Sequence, residues 1–387
     1  MTTADSSASP SDKTITEHEL EQCQRANQTE RTPVVFVHGL WLLPSSWDRW
    51  AKLFEDNGYV ALSPGWPDDP ETVEEAAEHP EVFAGKSIGQ VADHFETIIR
   101  GLDKKPAIIG HSTGGLLTQI LAGRGLAAVS VAIDPAPFRG VLPLPISALK
   151  SSSPVLRNPA NRNRAVPLTY DQFRYSFANA VSEEEAKQLY EDFAVPTPGK
   201  PLFQAATANL NPWTEAKVDT KNPDRGPLLL ISGELDHTVP WAIVNASYHQ
   251  QQDNPGVTEI VKIPGHGHAL IIDSGWRETR RQGARVRPAL HLASWCGSLR
   301  DVDIPFDRRR EQECQAQRPL WGQVQVSPAS VVAELNAVVG VALEAADDDD
   351  TIALTVLGTL INQHGAKLRV ALFHVPYFCA NPGLGAR

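Results

Sequence analysis

The segment Ala107-Ile108-Ile109-Gly110-His111-Ser112-Thr113-Gly114-Gly115 constrains the fold more than any other stretch of the chain. Its first three residues are an all-apolar run, as expected of a strand buried on both faces, and the Leu116, Leu117, Ile120 and Leu121 that follow have the spacing of a helix's apolar face. The chain must turn from one to the other within a few residues. Glycines on either side of Ser112 suit a bend so sharp that a side chain at 110 or 114 would collide with neighbouring backbone, and the bend lifts the serine hydroxyl clear of the sheet. At the start of a helix the free N–H of Thr113 can also stabilise a negative oxygen.

The same alternation runs along much of the chain. Apolar runs at 33–37, 59–62, 107–109, 128–133, 228–231 and 259–263 predict strands, while 47–57, 88–102 and the residues after 115 show helical spacing. Parallel neighbours need crossover connections, so the expected fold is α/β, with a doubly wound, mostly parallel sheet. Between about 138 and 222 the alternation fails. Pro-rich turns, a Glu-rich helix over 182–193, and Phe173, Tyr175, Phe203 and Trp213 predict a helical cap inserted into a domain spanning 32–278. Residues 1–31 are polar and Ser/Thr/Glu/Gln-rich, which predicts a flexible N-terminal arm.

Composition narrows the class of function. A chain of 387 residues, 42% hydrophobic, can bury one large core with extra segments. Its net charge of -11 opposes nucleic-acid binding, which requires a surplus of Lys and Arg against phosphates. No apolar run reaches the roughly 18 residues of a membrane span, and a polar start replaces a signal peptide, so a cytoplasmic protein is expected. Cys23, Cys296, Cys314 and Cys379 lack CxxC spacing and the histidines lack HExxH spacing, so neither a metal nor another cofactor is expected.

A serine hydroxyl is a weak nucleophile until a base takes its proton, and the base needs an acid to fix its tautomer. Three carboxylates are candidates. Asp236 and Glu234 lie in the turn leaving the 228–231 strand, and Asp134 ends the strand before the insertion. Two histidines are candidate bases, His266 and His268, in Pro264-Gly265-His266-Gly267-His268-Ala269-Leu270. A neutral imidazole accepts a proton near pH 7, which suits either.

From about residue 33 to about 276 these motifs resemble the α/β-hydrolase superfamily, in its esterase- and lipase-like serine hydrolases. The resemblance implies the chain order serine, acid, histidine, and its patterns fall on Ser112, Asp236 and His268. It also implies that His38-Gly39 opens the loop giving a second oxyanion N–H, at Leu40 with Trp41 next, beside that of Thr113. The activity implied is two-step acyl transfer on a small apolar ester or lactone, with Trp41 and His111 as pocket residues. Perhydrolysis, amide cleavage or C–C hydrolysis can use the same triad, and a ligand receptor can use the same scaffold.

The resemblance ends where a closing helix should continue. Ile271-Ile272-Asp273-Ser274-Gly275-Trp276 begins one, but Arg277, Arg280, Arg281, Arg285 and Arg287 follow with almost no apolar period, so 279–387 is an atypical tail. A reading-frame change near Arg277 accounts for it, because an offset frame over 279–291 can encode an amphipathic helix. The competing account is a small module with apolar faces at 331–341 and 351–361. Sequencing the gene around this position separates the two.

Overall fold

Short apolar strands pair stably in parallel only when helices carry the chain back across the sheet, and the computed structural model, which describes residues 15–277, has this arrangement. In chain order the elements are α1 (Glu17–Asn27), β1 (Pro33–Val37), α2 (Asp48–Asp56), β2 (Val60–Leu62), α3 (Val73–Glu78), α4 (Ile88–Arg100), β3 (Ala107–His111), α5 (Thr113–Gly123) and β4 (Val129–Ile133). They continue with α6 (Ile146–Leu156), β5 (Ala165–Val166), α7 (Tyr170–Ser176), α8 (Glu183–Phe193), β6 (Thr197–Pro198), α9 (Lys200–Ala206), β7 (Leu228–Gly233), α10 (Trp241–Gln251) and β8 (Thr258–Ile263). The main sheet has six strands in the order β2-β1-β3-β4-β7-β8, every neighbouring pair parallel.

All residues of β1, β3, β4 and β7 are buried, which is why these segments carry no polar alternation. α5 is buried along its whole length, its Thr118 and Gln119 included, unlike a surface helix. β8 pairs only with β7 among the described residues, and its half-exposed pattern accommodates Glu259 and Lys262.

The strand order reverses at β1. The chain steps outward to β2, then returns to place β3, β4, β7 and β8 on the other side. In open α/β sheets the crevice beyond the carboxyl ends of the strands at such a reversal is where ligands bind. Here His38-Gly39 leaves β1 and Ser112 leaves β3 at that point.

Between β4 and β7 the chain forms α6 to α9 and a small antiparallel ladder of β5 with β6. α8 falls where the Glu-rich helix is expected, with the Ser182 hydroxyl capping the Glu185 N–H. The aromatics of this insertion divide. Phe173 is fully buried, Tyr175 and Phe203 are half-buried, and Trp213 is 86% exposed.

The expectation of a flexible arm over 1–31 is corrected over its described part. Thr16 and Glu19 form a capping box that starts α1, and the helix buries Glu19, Gln22, Cys23 and Ala26. The docking is largely polar, which composition does not register. The buried Glu19 carboxylate meets His94 Nε2 at 2.9 Å, Gln22 Oε1 accepts the Ser63 N–H, and Arg25 donates to the Ala61 carbonyl. The atypical tail, 279–387, lies outside the described residues. Among the described residues no helix is long and apolar enough to cross a membrane. Thr16→Ala, which removes half of the capping box, is expected to lower the unfolding free energy by about 0.5–2 kcal/mol. The measurement is the urea midpoint at unchanged slope, and an undocked segment would leave that midpoint in place.

Candidate active site

The turn from β3 to α5 holds Ser112 at φ 57° and ψ -121°, a backbone conformation that side-chain-bearing residues rarely adopt. Hydrogen bonds on both sides hold it there: Ser112 N–H donates to the Ile133 carbonyl and the Ser112 carbonyl accepts from Ala136 N–H, each at 2.9 Å. The flanking glycines are required by space. A Cβ at Gly110 would overlap the Gly114 carbonyl, and one at Gly114 would overlap the carbonyls of Val37 and His38.

The serine hydroxyl is 2.9 Å from His268 Nε2, and His268 Nδ1 is 2.6 Å from Asp236 Oδ2. All three residues are buried. Asp236 Oδ1 accepts the N–H groups of Thr238 and Val239 at 2.6 and 2.9 Å, so this carboxylate gathers three donors. A carboxylate can only accept, so it fixes the proton on Nδ1 and leaves the Nε2 lone pair facing Ser112. The alternatives are engaged elsewhere. Glu234 is exposed and its Oε2 accepts the Gly265 N–H, while His266 Nδ1 sits 3.3 Å from Asp273 Oδ2.

The β1 loop runs so close to Ser112 that a Cβ on Gly39 would come within 2.8 Å of Ser112 Cβ. Neither Leu40 N–H nor Thr113 N–H hydrogen-bonds to another described residue. Trp41 takes φ 63° and donates its indole N–H to the Val166 carbonyl of the insertion at 3.0 Å. Of the two expected pocket residues, Trp41 is buried beside Phe177 at a ring separation of 6.1 Å. His111 is corrected. It is fully enclosed, its ring 4.5 Å from that of His268, so it is not an open pocket wall. Burial and the neighbouring His268 hold its pKa well below the usual histidine range, which keeps it neutral. Ligand atoms of His111, Asp134 and His268 lie within 4.8 Å of one another. Both His268 nitrogens are already engaged, so His268 has no lone pair left for a metal.

The model of the alpha/beta hydrolase family matches residues 34–282. No curated protein matches the chain. Several solved structures are similar in fold. An extracellular alpha/beta-hydrolase from a Paenibacillus species is 17% identical with a TM-score of 0.48, the match covering 66% of this chain and 98% of that one. A thermophilic esterase from Thermogutta terrifontis is 19% identical with a TM-score of 0.48, covering 68% and 90%. A monoacylglycerol lipase from Paleococcus ferrophilus is 18% identical with a TM-score of 0.44, covering 68% and 94%.

Two features of the site have no motif in the sequence. His38 is steadied by a buried partner, its Nε2 3.2 Å from Asp69 Oδ2, and the Asp69 carboxylate also pairs with Lys86. Phe177, in the loop after α7, lies edge-on to His268 at 4.8 Å and stacked on Phe173 at 5.1 Å, and its carbonyl accepts the Ala269 N–H. Its aromaticity within the insertion was the only available signal, and many residues there share it. Phe177→Ala is expected to lower the unfolding free energy by about 3–5 kcal/mol, the usual cost of emptying a buried aromatic site. Denaturant unfolding checks it, and a loss below about 1 kcal/mol would show that Phe177 is not packed as described.

Proposed function

The chain belongs to the alpha/beta hydrolase family and is a hydrolase, and on that premise we propose that it cleaves a carboxylic ester or lactone through an acyl-enzyme on Ser112. The observation that carries the proposal is the buried hydrogen-bonded chain from Ser112 Oγ through His268 to Asp236, at 2.9 and 2.6 Å.

In the first step Ser112 Oγ attacks the substrate carbonyl carbon as His268 Nε2 takes the hydroxyl proton. The carbonyl oxygen gains negative charge and is met by the N–H groups of Thr113 and Leu40, donors fixed before the reaction begins. Asp236 faces the imidazolium and stabilises it without taking the proton. Collapse of the tetrahedral intermediate breaks the ester C–O bond, and the proton held on Nε2 passes to the departing alkoxide. In the second step water attacks the acyl-enzyme with His268 as base, releasing the acid and restoring the serine hydroxyl. Phe177 and Trp41 make the surroundings apolar, which strengthens each electrostatic contact and suits a small apolar ester.

A fluorophosphonate probe and a chromogenic short-chain ester test the proposal. Wild-type protein is expected to be labelled and to hydrolyse the ester. Ser112→Ala should lose labelling and lower kcat by about 10^4–10^6-fold, and His268→Ala should behave alike. Asp236→Asn should lower kcat by about 10^4-fold through loss of the tautomer, while His266→Ala and Glu234→Gln stay within about threefold of wild type. Labelling that persists in Ser112→Ala, or folded wild-type protein that takes no label, defeats the proposal.

A further inference from the structure

Asp134 is a second acidic side chain at the centre of the site, and the proposed reaction leaves it unused. It ends β4, is fully buried, and takes φ 41°, a second strained residue beside Ser112. Its backbone N–H donates to the Ile231 carbonyl and its Oδ1 accepts the Gly233 N–H at 2.8 Å, which fixes the carboxyl across the ends of β4 and β7. The Asp236 carboxyl lies beside it. Among the described residues its Oδ2 has no N–H or hydroxyl donor.

Two carboxylate oxygens form no hydrogen bond unless a proton lies between them, and two neighbouring buried carboxyls do not both ionise. The donors around each decide where the proton sits. Asp236 accepts from Thr238, Val239 and His268, and three donors favour its anion. Among the described residues Asp134 accepts only from Gly233. We propose that Asp134 is a neutral carboxylic acid whose Oδ2–H donates to the Asp236 carboxylate, making it a positioning residue that acts on His268 through Asp236. The inference rests on the proposed triad for its effect on activity, and on burial and donor count alone for the protonation.

The titratable groups facing Asp134 are Asp236, His268 and the neutral His111. Burial first, and the Asp236 carboxylate next, push its carboxyl well above the ordinary carboxylate range. The bond fixes the rotation of Asp236 against His268 Nδ1 and draws off part of its negative charge. Without that donor the carboxylate pairs more strongly with a charged partner, which displaces the acid limb of the pH–rate profile upward.

The test uses the full-length protein. Infrared spectroscopy at neutral pH is expected to show the carbonyl stretch of a neutral carboxylic acid, shifted by 13C-aspartate labelling, absent from Asp134→Asn and retained in Ser112→Ala. The isotope arm needs only the wild-type chain and so stands even if a variant does not fold. Asp134→Asn keeps an N–H donor toward Asp236 and an oxygen toward Gly233, and should be labelled by the fluorophosphonate within about threefold of the wild-type rate. Asp134→Leu keeps bulk but no donor, and should label about tenfold or more slowly, the size of one hydrogen bond to a charged group. Its acid limb of kcat/KM should move up by roughly half a pH unit or more, with that of Asp134→Asn unmoved. The inference is overturned if wild type lacks the band, if Asp134→Asn keeps it, or if the two variants give the same labelling rate and pH profile. A band in Ser112→Ala together with unlabelled wild type sinks the hydrolase reading while leaving the Asp134 proton in place.

Discussion

The Ser112 peptide is pinned from two directions, by its N–H on the Ile133 carbonyl and by the Ala136 N–H on its own carbonyl. Those two bonds hold a non-glycine residue at positive φ, a conformation that is unfavourable in isolation. Both partners come from the end of β4 and the loop after it, so the shape of the elbow depends on the neighbouring strand being in register. β4 in turn is held by β7, paired from Ser130 with Leu228 to Ile133 with Ile231. The hydroxyl is aimed by the sheet as a whole, through parallel ladders whose strands are too apolar to leave it.

The same ladders continue past the strand ends and set the loops that approach Ser112. Asp134 N–H bonds to Ile231, Glu234 N–H to Ile263, and Leu235 N–H to the His266 carbonyl. The acid-bearing loop after β7 and the histidine-bearing loop after β8 are therefore stitched together before any side chain is considered. Asp236 and His268 lie 2.6 Å apart because their backbones are already paired nearby.

The insertion between β4 and β7 completes the enclosure. It reaches the β1 loop through the Val166 carbonyl on the Trp41 indole, and the loop after β8 through the Phe177 carbonyl on Ala269 N–H. It reaches the acid loop through the Ser176 carbonyl, which accepts the Thr238 hydroxyl at 2.7 Å, and through the Tyr175 carbonyl at 3.0 Å from His237 Nδ1. Three segments of the sheet edge thus share one cover. Excluding water there raises the strength of the Asp236 to His268 interaction, and it also makes an unneeded charge costly, which is the physical setting of Asp134 and His111.

The sequence by itself determined the parallel α/β sheet and the sharp strand-to-helix turn at Ser112. Both are short-range properties, set by apolar runs and by glycines where a Cβ has no room. Motif order singled out Asp236 and His268 among neighbours of the same chemistry. What the tertiary structure decided is which of those neighbours face one another: His268 meets a serine 156 positions away, while His266, two residues before it, meets Asp273 instead. The same holds for α1, whose docking depends on Glu19 finding His94 75 positions away, and for His111, whose place beside Ser112 says nothing of its enclosure. A linear pattern records what each residue can do. Burial and through-space distance, which only the assembled sheet supplies, decide which of them meet.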